Sequence, residues 1–450
     1  MITARAWAGK HYAVYGLARS GLATAEALLA SGARVTAWDD NSENVENFRS
    51  SRAHSRSAGT EERTSTSLGT NGLAFADLNS ADLSQFDSLV VTPGLPLNRH
   101  PIAQRARDAG VEIIGDIELF ARARPELPPH KVVGITGTNG KSTTTALIHH
   151  MLQIAGVPSL MAGNIGLPIL AQEPLPKGGV YVLELSSYQL DLTQTLDCDV
   201  AVLLNITPDH LDRYESFEAY RESKIRLFEM QSKRHFPVYH FDGDEAVLLT
   251  DLLAEFPMEY WFTTDRVGLL SNQPHWPTLQ GPHNLENAAA AIRTAQALLV
   301  SDRHIDEGLQ TYPGLPHRME RIRELGGVVF VNDSKATNPT ATAPALAAFD
   351  RIRWICGGQA KSDSLHECAA HYGHVRKAYT IGEAGELFAS LLSPHMAVAQ
   401  CGTLDRAVGE ATAEAESGDT VLLSPACASF DQFRDFEDRG NTFRTLVEGL

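Results

Sequence analysis

Seven residues constrain this chain more than any others: GTNGKST at positions 137–143. They follow the apolar run Val132-Val-Gly-Ile-Thr136 and precede the helix-like stretch 142–154. A strand, a glycine-rich turn and a helix in that order predict a phosphate-binding loop at the end of a parallel strand. Glycines let several backbone N–H groups face one anion, and the helix N-terminus adds the positive end of its dipole. In that arrangement Gly137, Thr138, Asn139 and Gly140 form the cradle. Lys141 reaches the outer phosphates, Ser142 offers a hydroxyl to Mg²⁺, and Thr143 continues the turn. The common spacing has a further glycine at position 135, where this chain has Ile135.

The same alternation occurs on both sides of the loop. Before it, strands are predicted at 13–15, 34–38, 88–92 and 111–114, and a helix at 22–29. After it, strands are predicted at 180–185 and 200–204, and helices at 217–229 and 284–299. A third series has strands at 328–331, 352–356, 378–381 and 421–423 with helices between them. Such alternation predicts α/β architecture with mostly parallel sheets. The prolines of Pro125-Glu-Leu-Pro-Pro129 and Tyr312-Pro-Gly-Leu-Pro316 suggest seams. The expected division is 1–119, 120–314 and 315–450: a Rossmann-like N-terminal domain, a central P-loop ATPase-type domain and a Rossmann-like C-terminal domain. The polar segment 41–72 reads as a long solvated loop or a partly disordered insertion.

Composition narrows the function. With 38 basic and 55 acidic residues the net charge is −17, which disfavours a nucleic-acid partner. No apolar run is long enough to span a bilayer, and no secretion leader is read at the N-terminus. Five scattered cysteines predict no disulfide framework and suit a reducing cytoplasm.

Gly16-x-Ala18-x-x-Gly21 with Asp39 resembles a dinucleotide fingerprint lacking its middle glycine, so a nicotinamide-dependent dehydrogenase is a rival reading of the first 120 residues. The phosphate loop has no role in that rival, and the turn reads better as a diphosphate cradle. His366 and His371 miss the two-histidine zinc spacing by one residue and read as a surface helix end. Cys427 has no neighbouring base and reads as packing.

Several segments, in order, resemble the Mur ligases of peptidoglycan synthesis: GTNGKST, ELSSYQL from Glu184, ITPDHLDRY from Ile206, HNLENAAAA from His283, GLPHRME from Gly314, NDSKATN from Asn332 and LSPACASFDQF from Leu423. The resemblance implies an ATP-dependent ligase that joins UDP-N-acetylmuramoyl-L-alanine to D-glutamate through an acyl phosphate. Sister ligases adding another amino acid, and a non-catalytic nucleotide-binding relative, remain the alternatives. It further implies ATP and two magnesium ions, a CO₂-derived carbamate on Lys224, a cytoplasmic monomer, and small-molecule partners only.

Residue by residue, the resemblance implies ATP contacts at the loop and at Asn284, Asn287, Arg318 and Asp333. Ser142, Glu184, His210 and carbamylated Lys224 are implied as magnesium ligands. Lys141, His210, Lys224 and Lys335 are the implied catalytic set. Ser20, Asp39, Asn164, Ser186 and Gln189 are implied for the nucleotide sugar, and Thr337, Lys361, Ser429, Phe430 and Phe436 for D-glutamate. From sequence alone, Lys224 reads better as an exposed helical lysine.

Overall fold

The computed structural model describes residues 1–54, 72–210, 213–239, 266–361 and 363–450. Three sheets form among the described residues. The first takes β1 (His11–Tyr15), β2 (Arg34–Trp38), β3 (Leu73–Phe75), β4 (Ser88–Val91) and β5 (Ile113–Ile114) in the order β3-β2-β1-β4-β5, all parallel. The order reverses beside β1, so the crevice for a ligand lies where the Gly16 turn follows that strand.

The second sheet takes β6 (His130–Thr136), β7 (Ser159–Gly163), β8 (Gly179–Glu184), β9 (Val200–Leu203) and β10 (Phe236–Tyr239) in the order β10-β9-β6-β8-β7, again parallel. The strand carrying the phosphate loop is therefore central. The third sheet takes β11 (Glu320–Leu325), β12 (Val328–Asn332), β13 (Ile352–Gly357), β14 (Val375–Ile381), β15 (Ala397–Gly402) and β16 (Thr420–Leu423) in the order β11-β12-β16-β13-β14-β15. Only β11 runs antiparallel, beside β12.

The chain forms two compact units, Met1–Thr263 with Ala290–His304 and Thr264–Ala289 with Ile305–Leu450. The first unit contains two sheets, and one continuous core joins them. It includes Ile2, Trp7 and Leu28 on one side, Tyr181 and Phe228 on the other, and Leu119 and Phe120 between them. The helix Asp116–Ala123 is this bridge and crosses the expected boundary at 119. Its fully buried Glu118 accepts from the Gln194 and Thr195 amides at 2.7 and 2.9 Å, from the Thr195 hydroxyl at 2.8 Å and from Arg122 Nε at 2.8 Å. Four donors thus satisfy the hydrogen-bonding capacity of this buried carboxylate.

In the second unit the two faces of the sheet follow period two. Trp354 and Cys356 enter one core with Phe388, while Ile355 enters the other with Phe443 and Val447.

One sequence expectation is corrected. The segment 41–72 is not simply a loop, because Ser42–His54 is a helix. Val45 and Phe48, three apart, give it a narrow buried stripe beneath a polar surface. Residues 55–71 of that segment lie outside the described residues. The strands β3, β7, β10, β11 and β15 were not anticipated. The histidine run 366–374 forms a 3₁₀ helix.

Gly134, inside β6, lets the helix Phe217–Glu229 pack close to the sheet. A Cβ there would lie 2.7 Å from Cys198 Sγ and 3.1 Å from a Leu227 methyl. Gly134→Ala should lower stability by about 1–3 kcal/mol, the usual cost of overpacking, read from urea unfolding.

Candidate active site

The phosphate loop forms at the C-terminal end of β6. Gly140, at φ +86°, immediately precedes the helix Lys141–Ile154, and Gly137 sits at φ +149°. Both conformations favour glycine. The loop is fixed from the β9 side. The amides of Thr138 and Asn139 donate to the Asn205 backbone carbonyl and side-chain Oδ1, each at 2.9 Å, and Asn205 Nδ2 donates to the Asn139 carbonyl at 3.2 Å. The Thr138 hydroxyl meets the Thr207 carbonyl at 3.1 Å and the Tyr220 hydroxyl at 3.1 Å. Ser142 is buried in the first helical turn.

Two lysines converge on one carbonyl oxygen. Lys141 Nζ donates to Gly137 O at 2.9 Å and to Thr138 O at 2.8 Å, and Lys224 Nζ donates to Gly137 O at 2.9 Å. Lys224 is 2% exposed, and its ammonium position lies 4.6 Å from the centre of the Tyr220 ring. Burial first, and the charge of Lys141 second, push its pKa down to about 6. At neutral pH it is thus largely an uncharged, nucleophilic amine. The alternative of an exposed helical lysine is excluded. A signal existed in the sequence: Tyr220, Ser223, Lys224, Leu227 and Phe228 fall on one helical stripe and are all buried.

Glu184 ends β8, one strand from the loop. It is buried, and its Oε1 accepts from Asn164 Nδ2 at 3.1 Å. Its Oε2 is buried with no hydrogen-bond partner. Such an oxygen calls for a cation. His210 lies at φ +54° with its ring 5.1 Å from Tyr188 and 6.1 Å from Tyr220. Among the described residues, no three His, Cys, Asp or Glu side chains form a metal centre by themselves. Glu184 Oε2, an anionic oxygen at a strand end, is of the kind a hard cation takes.

At the first sheet, Asp39 braces the glycine turn. It accepts from the Leu17 amide at 2.6 Å, the Asn41 amide at 2.8 Å and Asn44 Nδ2 at 3.1 Å. Ser20 lies in the first turn of the helix Arg19–Ala30. Ser186 and Gln189 are joined to each other in a capping box, with the Ser186 amide donating to Gln189 Oε1 at 3.0 Å. Both residues thereby fix the short helix Ser187–Asp191 beside Glu184.

In the second unit, Asn287 Nδ2 donates to Asn284 Oδ1 at 3.1 Å, as their one-turn spacing implies. Asp333 is buried and accepts from Ser424 Oγ at 2.8 Å and from the Met319 amide at 3.2 Å. Burial raises it to about 7, with Arg318 opposing the shift. Lys335 places its ammonium 3.7 Å from the centre of the Phe436 ring. Lys361 is exposed, on a loop whose Gln359 pairs with Ala428 through two 2.9 Å amide bonds, beside buried Ser429. Phe430 is 68% exposed, and Thr337 is half-buried.

Sequence reasoning missed Asn205 and Tyr220 beside the loop. It also missed Arg439, which is fully buried and donates to Ser334 Oγ and O, Cys427 O and Ala428 O at 2.9–3.2 Å. That guanidinium ties the Asp333–Lys335 segment to the Ser429 segment. Burial raises the Cys427 thiol to about 12, in keeping with a packing role.

Sequence profiles match at two places: the Mur ligase middle domain over residues 135–265 and the Mur ligase glutamate ligase domain over residues 317–427. A UDP-N-acetylmuramoylalanine–D-glutamate ligase from Novosphingobium aromaticivorans is 56% identical, covering all of this chain and 97% of that protein. One from Sphingopyxis alaskensis is 54% identical over the whole of both chains. Among solved structures, a MurF ligase from Thermotoga maritima in complex with ADP matches with a TM-score of 0.58 at 16% identity, over 98% of this chain and 96% of that one. That last likeness speaks to fold alone.

Lys224 has a pH signature. Its folded value of about 6 lies below that of an ordinary lysine, about 10.4, so between them the unfolded chain holds a proton the folded chain lacks. Stability then rises with pH across that window. In CO₂-free buffer, the wild type should gain on the order of 1 kcal/mol per pH unit relative to Lys224→Met between about pH 7 and 9, measured by urea unfolding.

Proposed function

The chain belongs to the Mur ligase family and is an ATP-dependent, amide-forming ligase of peptidoglycan synthesis; on that premise we propose its substrates and the role of each site residue. The carboxylate donor is UDP-N-acetylmuramoyl-L-alanine and the amine is D-glutamate. The observation that carries this reading is the phosphate loop with a neutral buried lysine and an unpartnered buried carboxylate oxygen at neighbouring strand ends.

A carboxylate resists attack by an amine because it has no leaving group. Attack of the L-alanine carboxylate on the γ-phosphate of ATP releases ADP and leaves an acyl phosphate. The amine of D-glutamate then adds to the acyl carbon, loses a proton, and phosphate departs as the amide forms. The loop amides and Lys141 hold the phosphates and offset charge that builds as the phosphoryl group transfers. Glu184, Ser142 and His210 would hold magnesium, which supplies charge neutralisation at the phosphoryl oxygens when bound. The neutral amine of Lys224 can add CO₂ with loss of a proton, becoming an anionic oxygen donor toward the same cation. Asn284, Asn287, Arg318 and Asp333 act on the nucleotide, and Lys335 on its phosphates.

Ser20, Asp39, Asn164, Ser186 and Gln189 serve the nucleotide sugar. For the last two, the capping box supports a positioning role through the helix they start. Thr337, Lys361, Ser429, Phe430 and Phe436 serve D-glutamate, with Lys361 as a point charge for its side-chain carboxylate. The reaction is read as cytoplasmic and carried out by a monomer without nucleic acid. No helix among the described residues is long and apolar enough to cross a membrane.

Phosphate release with ATP, Mg²⁺ and the nucleotide sugar should depend on D-glutamate in an amino-acid panel that includes L-glutamate, L-lysine and diaminopimelate. Release with another amino acid alone would reassign the chain to a sister activity. Lys141→Ala should lower turnover by about 10³-fold or more. Lys224→Ala should be inactive and partly rescued by a short carboxylic acid; full activity without rescue would remove Lys224 from the site.

A further inference from the structure

After β9 the chain turns at His210, whose carbonyl accepts from the amides of Arg213 and Tyr214 at 2.8 and 3.3 Å. The Arg213 guanidinium then reaches a loop of the first sheet and meets three consecutive backbone carbonyls. Nη1 donates to Gly94 O at 3.2 Å, and Nη2 donates to Leu95 O at 3.0 Å and Pro93 O at 3.4 Å. One face of the guanidinium lies 4.3 Å from the centre of the Tyr188 ring, which stacks on Tyr214 at 15°. A flat fork against a ring and a row of carbonyls suits arginine and not lysine, which is a single point of charge.

The gripped turn begins at Thr92, whose carbonyl accepts the Leu95 amide at 3.0 Å and whose own amide donates to Tyr15 at 3.1 Å. Thr92 lies directly against the glycine turn: a Cβ on Gly16 would be 2.3 Å from its hydroxyl oxygen. A continuous strut therefore runs from His210 through Arg213 and residues 93–95 to Thr92 and Gly16. The His210 end is read above as part of the catalytic, magnesium-holding set, and the Gly16 end as the diphosphate cradle.

We propose that Arg213 is a positioning residue that sets the span between the diphosphate cradle and the reaction centre. The covalent length of a nucleotide sugar fixes how far its carboxylate lies from its diphosphate. A site whose two ends drift by an ångström loses alignment, at a cost of up to about 10²-fold in rate. Arg213 acts through the two turns it joins. The proposal rests on the nucleotide-sugar reading above.

The test uses the full chain with ATP, Mg²⁺, UDP-N-acetylmuramoyl-L-alanine and D-glutamate. Arg213→Ala should lower kcat/KM for the nucleotide sugar by about 30-fold, within the range misalignment allows. The KM for ATP and for D-glutamate should change less than about twofold, and the melting temperature by only a few degrees. Arg213→Lys, which keeps the charge and loses the fork, should recover less than about a third of the lost rate. Tyr188→Leu should shift the same constant in the same direction, by less, and carries the test if the alanine variant does not fold. An unchanged kcat/KM, a loss shared equally with ATP and melting temperature, or full recovery by lysine overturns the proposal. A wild type that forms no amide would instead count against the function proposed above, so the two failures are distinguishable.

Discussion

One oxygen atom, the carbonyl of Gly137, organises the catalytic half of this molecule. It accepts from two lysines at 2.9 Å each, so their nitrogens are no more than about 6 Å apart. Two full charges at that separation would repel by roughly 3 kcal/mol at an effective dielectric of about 20. The repulsion is relieved by burial of one partner. Lys141 lies nearer the surface, while Lys224 sits inside the helix–sheet interface, where its pKa falls to about 6. Depth first, and the neighbouring lysine's charge second, thus give one residue type two different chemistries. Their placement depends on β6 being central, with β9 and β8 on either side to supply Asn205 and Glu184.

The second unit meets a related difficulty with different parts. Arg439 carries a charge into a fully buried position, and backbone carbonyls and Ser334 surround it. Burial lowers it to about 10, yet it stays protonated at neutral pH. A guanidinium can satisfy several carbonyls from one plane, which a lysine could not. The segments bearing Lys335 and Ser429 are held in register by that one side chain.

What the sequence revealed follows from burial. Strands covered on both faces, such as Val132–Thr136, Val200–Leu203 and Thr420–Leu423, read as apolar runs. All five unanticipated strands are sheet edges. Glu320–Leu325 carries a charge at four of its six positions, which hides it as a strand; an edge strand gains from charge on its open side. The phosphate loop was legible because its chemistry is local: glycines, lysine and serine within seven residues. Asn205, Tyr220 and Arg439 were not, since each acts on a segment from 11 to 105 residues away, and no spacing encodes that. Lys224 lay between these cases: its helical stripe was visible, but an apolar stripe alone does not reveal that a charged residue within it is buried.

The core shared by the first two sheets bears on how the chain is made. The Ile2 amide donates to the Leu170 carbonyl, and Leu119 and Phe120 are covered by a core that includes Tyr181 and Phe228. During synthesis the first sheet leaves the ribosome while its covering layer is still being translated. At about 5–20 residues per second, the hundred or so residues from Phe120 to Phe228 take roughly 5–20 s to emerge. Throughout that interval the apolar side of the bridging helix has no native surface to close against. A chaperone's opportunity, and an aggregate's, is therefore set by the position of Phe228 in the message and not by the end of the first sheet.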